Sequence, residues 1–249
     1  MNRALPFRGA PSIPRRVPLW FPPVVFVGAA LIASVVHAVV GRLFSVPLAQ
    51  ADHTWWLNIV SVVALWAGLI SSVVWARHLY GPLFERDFFT VRWWRTQRSD
   101  LLYLVVGVLI QIVVGLVYLP FHAKSVGNPT RELLGTAHGW QILLICLTAS
   151  VGAPIVEEIF FRGLLLGSLQ SVPAAWFAQR FRGALPIVVS GLLFAAAHAQ
   201  GVQFAGLAIA GVSLAVIRRA EGRIAPSIFA HAGFNAIALI VTLHAWLVP

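Results

Sequence analysis

The sequence predicts an all-α, polytopic bundle of about seven transmembrane helices. Of its 249 residues, 59% are hydrophobic and only 10% are charged, whereas an ordinary soluble domain carries about 25% charged residues. Several uncharged runs reach the roughly 20 residues that are needed to cross a bilayer core. The arginines lie in short segments between these runs. These observations favour a multi-pass membrane protein over a soluble domain with a large core.

The uncharged runs give the order of the predicted spans along the chain. The first, second, third and seventh spans lie in single runs, namely 17–41 (with the helix starting near Val24), 54–76, 101–123 and 224–249. The fourth span starts near Gly139 and continues into the stretch APIVEEIFFRGLLLG. The run 183–217 is too long for one span, so we expect the stretch HAQGVQFAG to break it into a fifth span and a short sixth span.

The positions of the arginines predict the orientation of the bundle. If the N-terminus lies in the cytoplasm, the cytoplasmic segments carry 14 of the 18 Lys and Arg residues, and the outer segments carry only Arg42, Lys124 and Arg131. Cytoplasmic loops carry the excess of Lys and Arg in membrane proteins, so we expect a cytoplasmic N-terminus and an outer C-terminus.

The formal net charge of +10 does not indicate nucleic-acid binding, because the arginines lie in short loops between apolar runs.

Three regions follow from the predicted spans. They are a Pro/Arg-rich cytoplasmic segment at 1–20, three spans with their loops at 21–138, and a helical core that carries intramembrane polar residues at 139–249. The basic start before an apolar stretch is typical of a signal peptide, but that stretch is too long and another span soon follows. We therefore expect a retained first span.

The single cysteine, Cys146, cannot form an internal disulfide and is expected to be a packing residue.

Two adjacent glutamates, Glu157 and Glu158, are the acidic residues that fall within a predicted span. An ionisable side chain in a span indicates a functional site. Glu158 and Arg162 are four residues apart with the acid first, which is the favourable order for an ion pair. Neighbouring side chains point about 100° apart on a helix, so Glu157 is left to face a cavity. For Glu158 and Arg162, a purely structural ion pair and a supporting catalytic role both stay open.

Two further polar pairs fall within later spans. The stretch FAAAH places Phe194 and His198 four residues apart, and HAGFN places His231 and Asn235 at the same spacing. Each pair therefore shares one helix face. A lone histidine in a span is more often a packed, hydrogen-bonded residue than a catalyst. Two histidines, a glutamate and an asparagine on three spans indicate a shared site.

Depth in the membrane sets a condition on this site. If the fourth helix ended near Gly163, Glu157 would lie near the cytoplasmic surface, roughly 20 Å below His198. If the helix continues through GLLLGSLQ to about Gln170, Glu157 is level with His198, and His231 lies slightly lower. We therefore predict an unusually long fourth helix.

This set of side chains suits the hydrolysis of an amide bond. A carboxylate and a histidine can polarise a water for attack on a carbonyl, and a second histidine and an amide can donate hydrogen bonds to the oxyanion. Glu157, His198 and His231 are also candidate ligands of a catalytic Zn²⁺ with one open position, although the helical HExxH signature is absent. Metal-bound water and Glu/His-activated water both stay open, and the pairing of His231 with Asn235 favours the version without metal.

The three motifs resemble those of a known family. EEIFFR fits EExxxR, FAAAH fits FxxxH and HAGFN fits HxxxN, in that order on successive late spans. Over roughly 139–247 the sequence resembles the CPBP family of intramembrane proteases, which includes the type II CAAX prenyl endopeptidases and the bacterial Abi proteins. The resemblance marks 139–249 as a catalytic core.

The resemblance also implies a role for each motif residue. Glu157 and His198 would activate the water, and His231 and Asn235 would form the oxyanion site. A separate pair, Glu158 and Arg162, would support the architecture of the site. Members of the family are described both as metalloproteases and as glutamate-dependent enzymes, so the resemblance does not decide on Zn²⁺.

We therefore expect a multi-pass protease of a cell membrane that cleaves a peptide or a membrane protein. The short, Arg- and Ala-rich chain indicates a bacterial inner membrane. Two other functions stay open. A noncatalytic membrane scaffold or immunity protein would tolerate Gln in place of Glu157. A proton-coupled transporter would show inverted repeats with broken helices, and the sequence shows no such symmetry.

Overall fold

The computed structural model describes residues 16–80, 95–119, 137–172 and 183–247. Within these ranges the regular structure is entirely helical and contains no β-strand, which confirms the predicted all-α class. The segment up to residue 15, and Lys124 and Arg131 in predicted outer loops, lie outside the described residues. The orientation of the bundle therefore stays a prediction.

The described residues form eight helices. In chain order they are α1 (Phe21–Leu43), α2 (Leu48–Ala51), α3 (Trp55–Tyr80), α4 (Arg98–Tyr118), α5 (Trp140–Gln170), α6 (Ala184–Ala197), α7 (Phe204–Glu221) and α8 (Ala225–Leu247). All except the short α2 fall on the seven predicted stretches. Four of them, α1, α3, α4 and α5, are long and apolar enough to cross a membrane. The chain is therefore a multi-pass membrane protein.

The other three helices, α6, α7 and α8, are not among the four long apolar ones. The total of seven membrane crossings therefore stays a prediction. With 14 residues, α6 is about 21 Å long, which is shorter than a hydrocarbon core of about 30 Å. The 18-residue α7 carries Arg218, Arg219 and Glu221 near its end. The expected break between these two helices is confirmed, because α6 ends at Ala197 and α7 begins at Phe204.

The helix that carries both glutamates, α5, has 31 residues and reaches Gln170. The predicted long fourth helix is therefore confirmed. Two π-helical segments, Thr148–Gly152 and Ile159–Leu165, lie on either side of Pro154 and the glutamates. Proline has no N–H to donate to the preceding turn, and a wider π turn accommodates the missing bond. Turns of this kind are frequent at functional sites.

Small residues let neighbouring helices approach closely. A side chain on Gly107 of α4 would collide with the Ala230 carbonyl oxygen of α8, and one on Gly233 of α8 would collide with the Leu104 carbonyl oxygen. In the α6–α7 hairpin, a Cβ on Gly191 would lie 2.6 Å from the backbone of α7. Close packing at small residues is the usual basis of helix association in membranes. It brings α8 against α4 and places His231 at a defined depth.

Aromatic side chains form the core beneath the site. Phe160, Phe161 and Phe194 are almost fully buried, and the Phe161 and Phe194 rings are 5.2 Å apart with an edge-to-face geometry. Phe26 of α1 lies 5.9 Å from the rings of Phe160 and Phe161. Edge-to-face pairs of this kind are favourable. They attach α5 to α6 and to the N-terminal helix α1.

An ion-pair network joins the start of α4 to the turn between α7 and α8. Arg223 donates to both carboxylate oxygens of Asp100 at 2.8 Å, and its Nη2 lies 3.3 Å from Glu221 Oε2. The hydrogen bond to Asp100 raises the pKa of Arg223 above its ordinary value. Tyr103 adds a hydrogen bond to Glu221 Oε1 at 2.7 Å. The network fixes the beginning of α8, the helix that carries His231.

Candidate active site

A buried ion pair forms the floor of the site. Arg162 Nη1 lies 3.2 Å from Glu158 Oε1, and both side chains are fully buried. Arg162 Nη2 donates to the Gly211 carbonyl oxygen of α7 at 3.0 Å, and its guanidinium carbon lies 4.5 Å from the centre of the Phe194 ring. A buried charge without such partners would be costly. The predicted pairing of Glu158 with Arg162 is present, and it also joins α5 to α6 and α7.

His231 lies between the two glutamates. Its Nδ1 is 3.0 Å from Glu158 Oε1, and its Nε2 is 3.7 Å from Glu157 Oε2. An ionised carboxylate only accepts hydrogen bonds, so Nδ1 carries a proton and Nε2 faces Glu157. The sequence predicts a contact of Glu158 with Arg162 only. The link from Glu158 to α8 is an additional finding of the structure.

His198 completes the group from the end of α6. Its Nε2 lies 3.9 Å from Glu157 Oε2, and its Nδ1 lies 2.8 Å from the Phe194 carbonyl oxygen one turn earlier. A carbonyl only accepts, so in the neutral ring Nδ1 donates and Nε2 carries the lone pair. The side chains of Glu157 and His198 are 20% and 25% exposed. Glu157 is thus both central to the group and accessible, unlike Glu158.

Asn235 is directed at the backbone of α5. Its Nδ2 donates to the Ala149 carbonyl oxygen at 2.8 Å. In this π segment the Ala153 N–H bonds to the Thr148 carbonyl, and the next residue that could serve Ala149 is Pro154, which has no N–H. Asn235 therefore satisfies a carbonyl that the helix leaves without a donor. One amide hydrogen of the expected oxyanion donor is used in packing, and a second one remains for another acceptor.

Phe194 belongs to the site, although sequence analysis gave it no role. Its ring centre lies 4.6 Å from that of His198 and 5.5 Å from that of His231, the latter at 76°. On another side it contacts the Arg162 guanidinium. One ring therefore packs against three of the site side chains. The sequence feature that points to Phe194 is its position one turn before His198 in FAAAH.

Glu157, His198 and His231 are also the candidate metal ligands named from the sequence. The two Nε2 atoms lie 3.9 and 3.7 Å from Glu157 Oε2, whereas ligand atoms of a tetrahedral zinc with bonds of about 2 Å lie about 3.3 Å apart. In the part of the chain that the structure describes, no group of three or more His, Cys, Asp or Glu is arranged to hold a metal ion. This donor arrangement does not fit a zinc ion as it stands.

The fold and the site define a multi-pass helical membrane protein with glutamate and histidine side chains gathered from α5, α6 and α8. A family model described as "Type II CAAX prenyl endopeptidase Rce1-like" matches residues 139–237, a segment that contains all six predicted site residues. Over this segment the chain is similar to the CAAX-type proteases of the CPBP family, which supports the resemblance seen in the three motifs. Searches of curated proteins and of solved structures gave no match.

Proposed function

We propose that this protein is an intramembrane endopeptidase that hydrolyses a peptide bond of a membrane-associated protein or peptide. The observation that carries the proposal is the position of Glu157 Oε2, which lies 3.7 Å from His231 Nε2 and 3.9 Å from His198 Nε2. The match of residues 139–237 to the CAAX protease family model supports proteolysis in general. The three side chains supply groups that can activate water.

Glu157 and His198 are the proposed activators of the attacking water. A separation of 3.9 Å is too long for a hydrogen bond, but one water can bond to both groups across it. His198 Nε2 is an acceptor because Nδ1 donates to the Phe194 carbonyl. The water oxygen bonds to the substrate carbonyl carbon while its proton passes to Glu157. Glu157 then gives this proton to the leaving nitrogen as the C–N bond breaks, which yields an amine and a carboxylic acid that retains the second proton of the water.

His231 and Asn235 are the proposed donors to the oxyanion. Because Glu158 holds the Nδ1–H of His231, a proton on Nε2 gives the ring a second donor on the side that faces Glu157. Asn235 contributes the amide hydrogen that α5 does not use.

The proposed setting is a bacterial inner membrane with the N-terminus in the cytoplasm and the catalytic core at 139–249. The family description names prenylated CAAX substrates. For this chain we propose the broader class of peptides held at or within the bilayer. The substrate would enter beside Glu157, because that carboxylate is partly exposed while Glu158 is fully buried.

The test is cleavage of a library of membrane-anchored fluorogenic peptides by the purified full-length protein in liposomes. Wild type is compared with Glu157→Ala, His198→Ala and His231→Ala. We expect cleavage by the wild type and a loss of cleavage in each variant. Equal cleavage by all four proteins would overturn the site assignment and would point to a contaminating protease.

A chelator arm of the same experiment addresses the metal. Cleavage that survives chelation supports water activated by Glu157 and His198 alone. Loss of cleavage that added Zn²⁺ restores would assign the water to a metal ion and would contradict the metal-independent mechanism. If the wild type cuts no peptide while Glu157→Gln keeps the protein's cellular function, the noncatalytic scaffold replaces the protease.

A further inference from the structure

Tyr118 links α4, which precedes the family-matched segment, to the loop that follows His198. The Tyr118 hydroxyl donates to the Val202 carbonyl oxygen at 2.9 Å and accepts from the Gly206 N–H at 3.0 Å. Val202 lies in the loop 199–203 between α6 and α7, and Gly206 lies in the first turn of α7. One hydroxyl therefore joins the loop and the next helix to the end of α4.

The hydroxyl supplies a hydrogen-bond partner to a backbone N–H at the start of α7. The first N–H groups of a helix have no acceptor within the helix, and the residue before α7, Gln203, makes no side-chain cap bond. Tyr118 supplies the acceptor for Gly206 and the donor for Val202. Tyr118 therefore takes the place of a helix cap, although it comes from another helix.

The Tyr118 ring packs tightly against the start of α7. A Cβ on Gly206 would lie 2.9 Å from the Tyr118 ring and 2.6 Å from Val114. The absence of a side chain at Gly206 lets the ring lie directly against the backbone of α7. Val114, one turn before Tyr118, packs at the same place. The tyrosine is thus held by its ring as well as by its hydroxyl.

The anchored loop begins at the proposed catalytic histidine. His198 closes α6, and the next residue, Ala199, has φ +52°, a left-handed conformation that is uncommon for a residue other than glycine. Such a conformation persists when the surrounding structure holds it. The near end of the loop is held by the bond from His198 Nδ1 to the Phe194 carbonyl. Tyr118 holds the far end.

We propose that Tyr118 is a positioning residue for His198. By fixing the loop and the start of α7, it keeps His198 Nε2 directed at Glu157. This inference rests on the proposed role of His198 in the hydrolysis. It also gives α4 a part in the active site, although α4 contributes no motif residue.

The test compares Tyr118→Phe with Tyr103→Phe in the full-length protein. Both variants remove one hydroxyl from α4, but the Tyr103 hydroxyl binds Glu221, at the opposite end of α7 from His198. The readouts are kcat and KM on the peptide that the wild type cleaves fastest, the exchange rate of the Gly206 amide hydrogen, and the ¹⁵N resonances of the His198 ring.

We expect Tyr118→Phe to lower kcat by about tenfold or more, with KM within about twofold of the wild type, because small misplacements of a catalytic group reduce turnover strongly. The Gly206 amide should exchange faster, and the His198 ring resonances should shift or broaden. Tyr103→Phe should leave the Gly206 exchange rate and the His198 resonances unchanged and lower kcat by less than about twofold, because Arg223 still binds Asp100 when the Tyr103 hydroxyl is absent. The exchange and resonance measurements do not depend on turnover.

Three outcomes would overturn the inference. They are wild-type kcat in Tyr118→Phe, unchanged His198 resonances in that variant, and equal losses in both tyrosine variants, which would indicate general loosening of α4. The His198→Ala variant separates the two proposals. Full turnover by His198→Ala contradicts the proposed function, whereas an inactive His198→Ala beside a fully active Tyr118→Phe contradicts only the role of Tyr118.

Discussion

His231 Nδ1 lies 3.0 Å from Glu158 Oε1, and the same oxygen lies 3.2 Å from Arg162 Nη1. One buried carboxylate therefore contacts a structural arginine and a site histidine from two different helices. The stability of the bundle and the orientation of His231 consequently depend on the same side chain. Glu157, one residue earlier, lies near His198 and His231 and is not part of the buried ion pair with Arg162. The two adjacent glutamates are expected to respond differently to substitution.

Glu158→Gln is expected to destabilise the protein as well as to inactivate it. The substitution removes the carboxylate that the buried Arg162 contacts directly, and breaking a buried pair in this way costs about 3–5 kcal/mol. Thermal unfolding in detergent measures the effect. Asp52→Asn, at a carboxylate whose side chain is 91% exposed, is the control. The double variant Glu158→Gln/Arg162→Met should regain much of the stability without activity, and a wild-type Tm for Glu158→Gln alone would contradict the prediction.

Glu157→Gln is expected to keep the fold and lose the activity. Glu157 is partly exposed, and the Nε2 atoms of His198 and His231 lie 3.9 and 3.7 Å from its Oε2, beyond hydrogen-bond distance. The amide cannot take a proton from water, so turnover should fall by about 10² to 10⁴, while the Tm stays close to that of the wild type. Parallel turnover and unfolding measurements check this. A variant that cleaves as fast as the wild type shows that Glu157 is not the base.

Phe194→Leu should impair catalysis more than an equally buried substitution elsewhere in the core. The ring contacts His198 and His231, so its loss frees both rings to move. Phe160→Leu is the matched control, because Phe160 is also 1% exposed but packs against Phe161 and α1. Both variants should lose a similar stability, about 1–2 kcal/mol. Only Phe194→Leu should lower turnover by about tenfold or more, and equal turnover in the two variants argues against a special role.

Gly233→Ala is expected to displace α8 from α4. The new Cβ would collide with the Leu104 carbonyl oxygen and lie 2.8 Å from its carbon, and a backbone group cannot move aside as a flexible side chain can. Because His231 lies two residues earlier, both Tm and turnover should fall. Gly115→Ala in α4 is the control, since a Cβ there meets no atom within 4 Å. That change should be neutral or stabilising by about 0.5–1 kcal/mol. Equal Tm values for the two variants would show that α8 does not approach α4 closely at Gly233.

The helical framework was open to prediction because it depends on local sequence. Uncharged runs located α1, α3 and α4, and the polar stretch after His198 located the break before α7. The end of α5 at Gln170 followed from the requirement that Glu157 and His198 reach one depth. The Glu158–Arg162 pair needed only their spacing on one helix.

The contacts that organise the site could not be predicted in the same way. His231 and Glu158 are 73 residues apart, and Asn235 and Ala149 are 86 apart. A periodic pattern identifies the polar face of a helix, but it does not identify the residue that lies opposite. Pro154 indicates that a backbone bond is missing, yet only the packing of α8 shows that Asn235 replaces it.

The shortness of α6 has a consequence for the lipid around the protein. If α6 begins at one membrane surface, its length of about 21 Å places His198 within a hydrocarbon core of about 30 Å, where polar groups lack water. The membrane next to such a helix thins, or water follows the polar end inward. We therefore expect the acyl-chain length of the host lipid to affect the proposed hydrolysis, since thinner membranes would lower the cost of hydrating His198 and thicker ones would raise it.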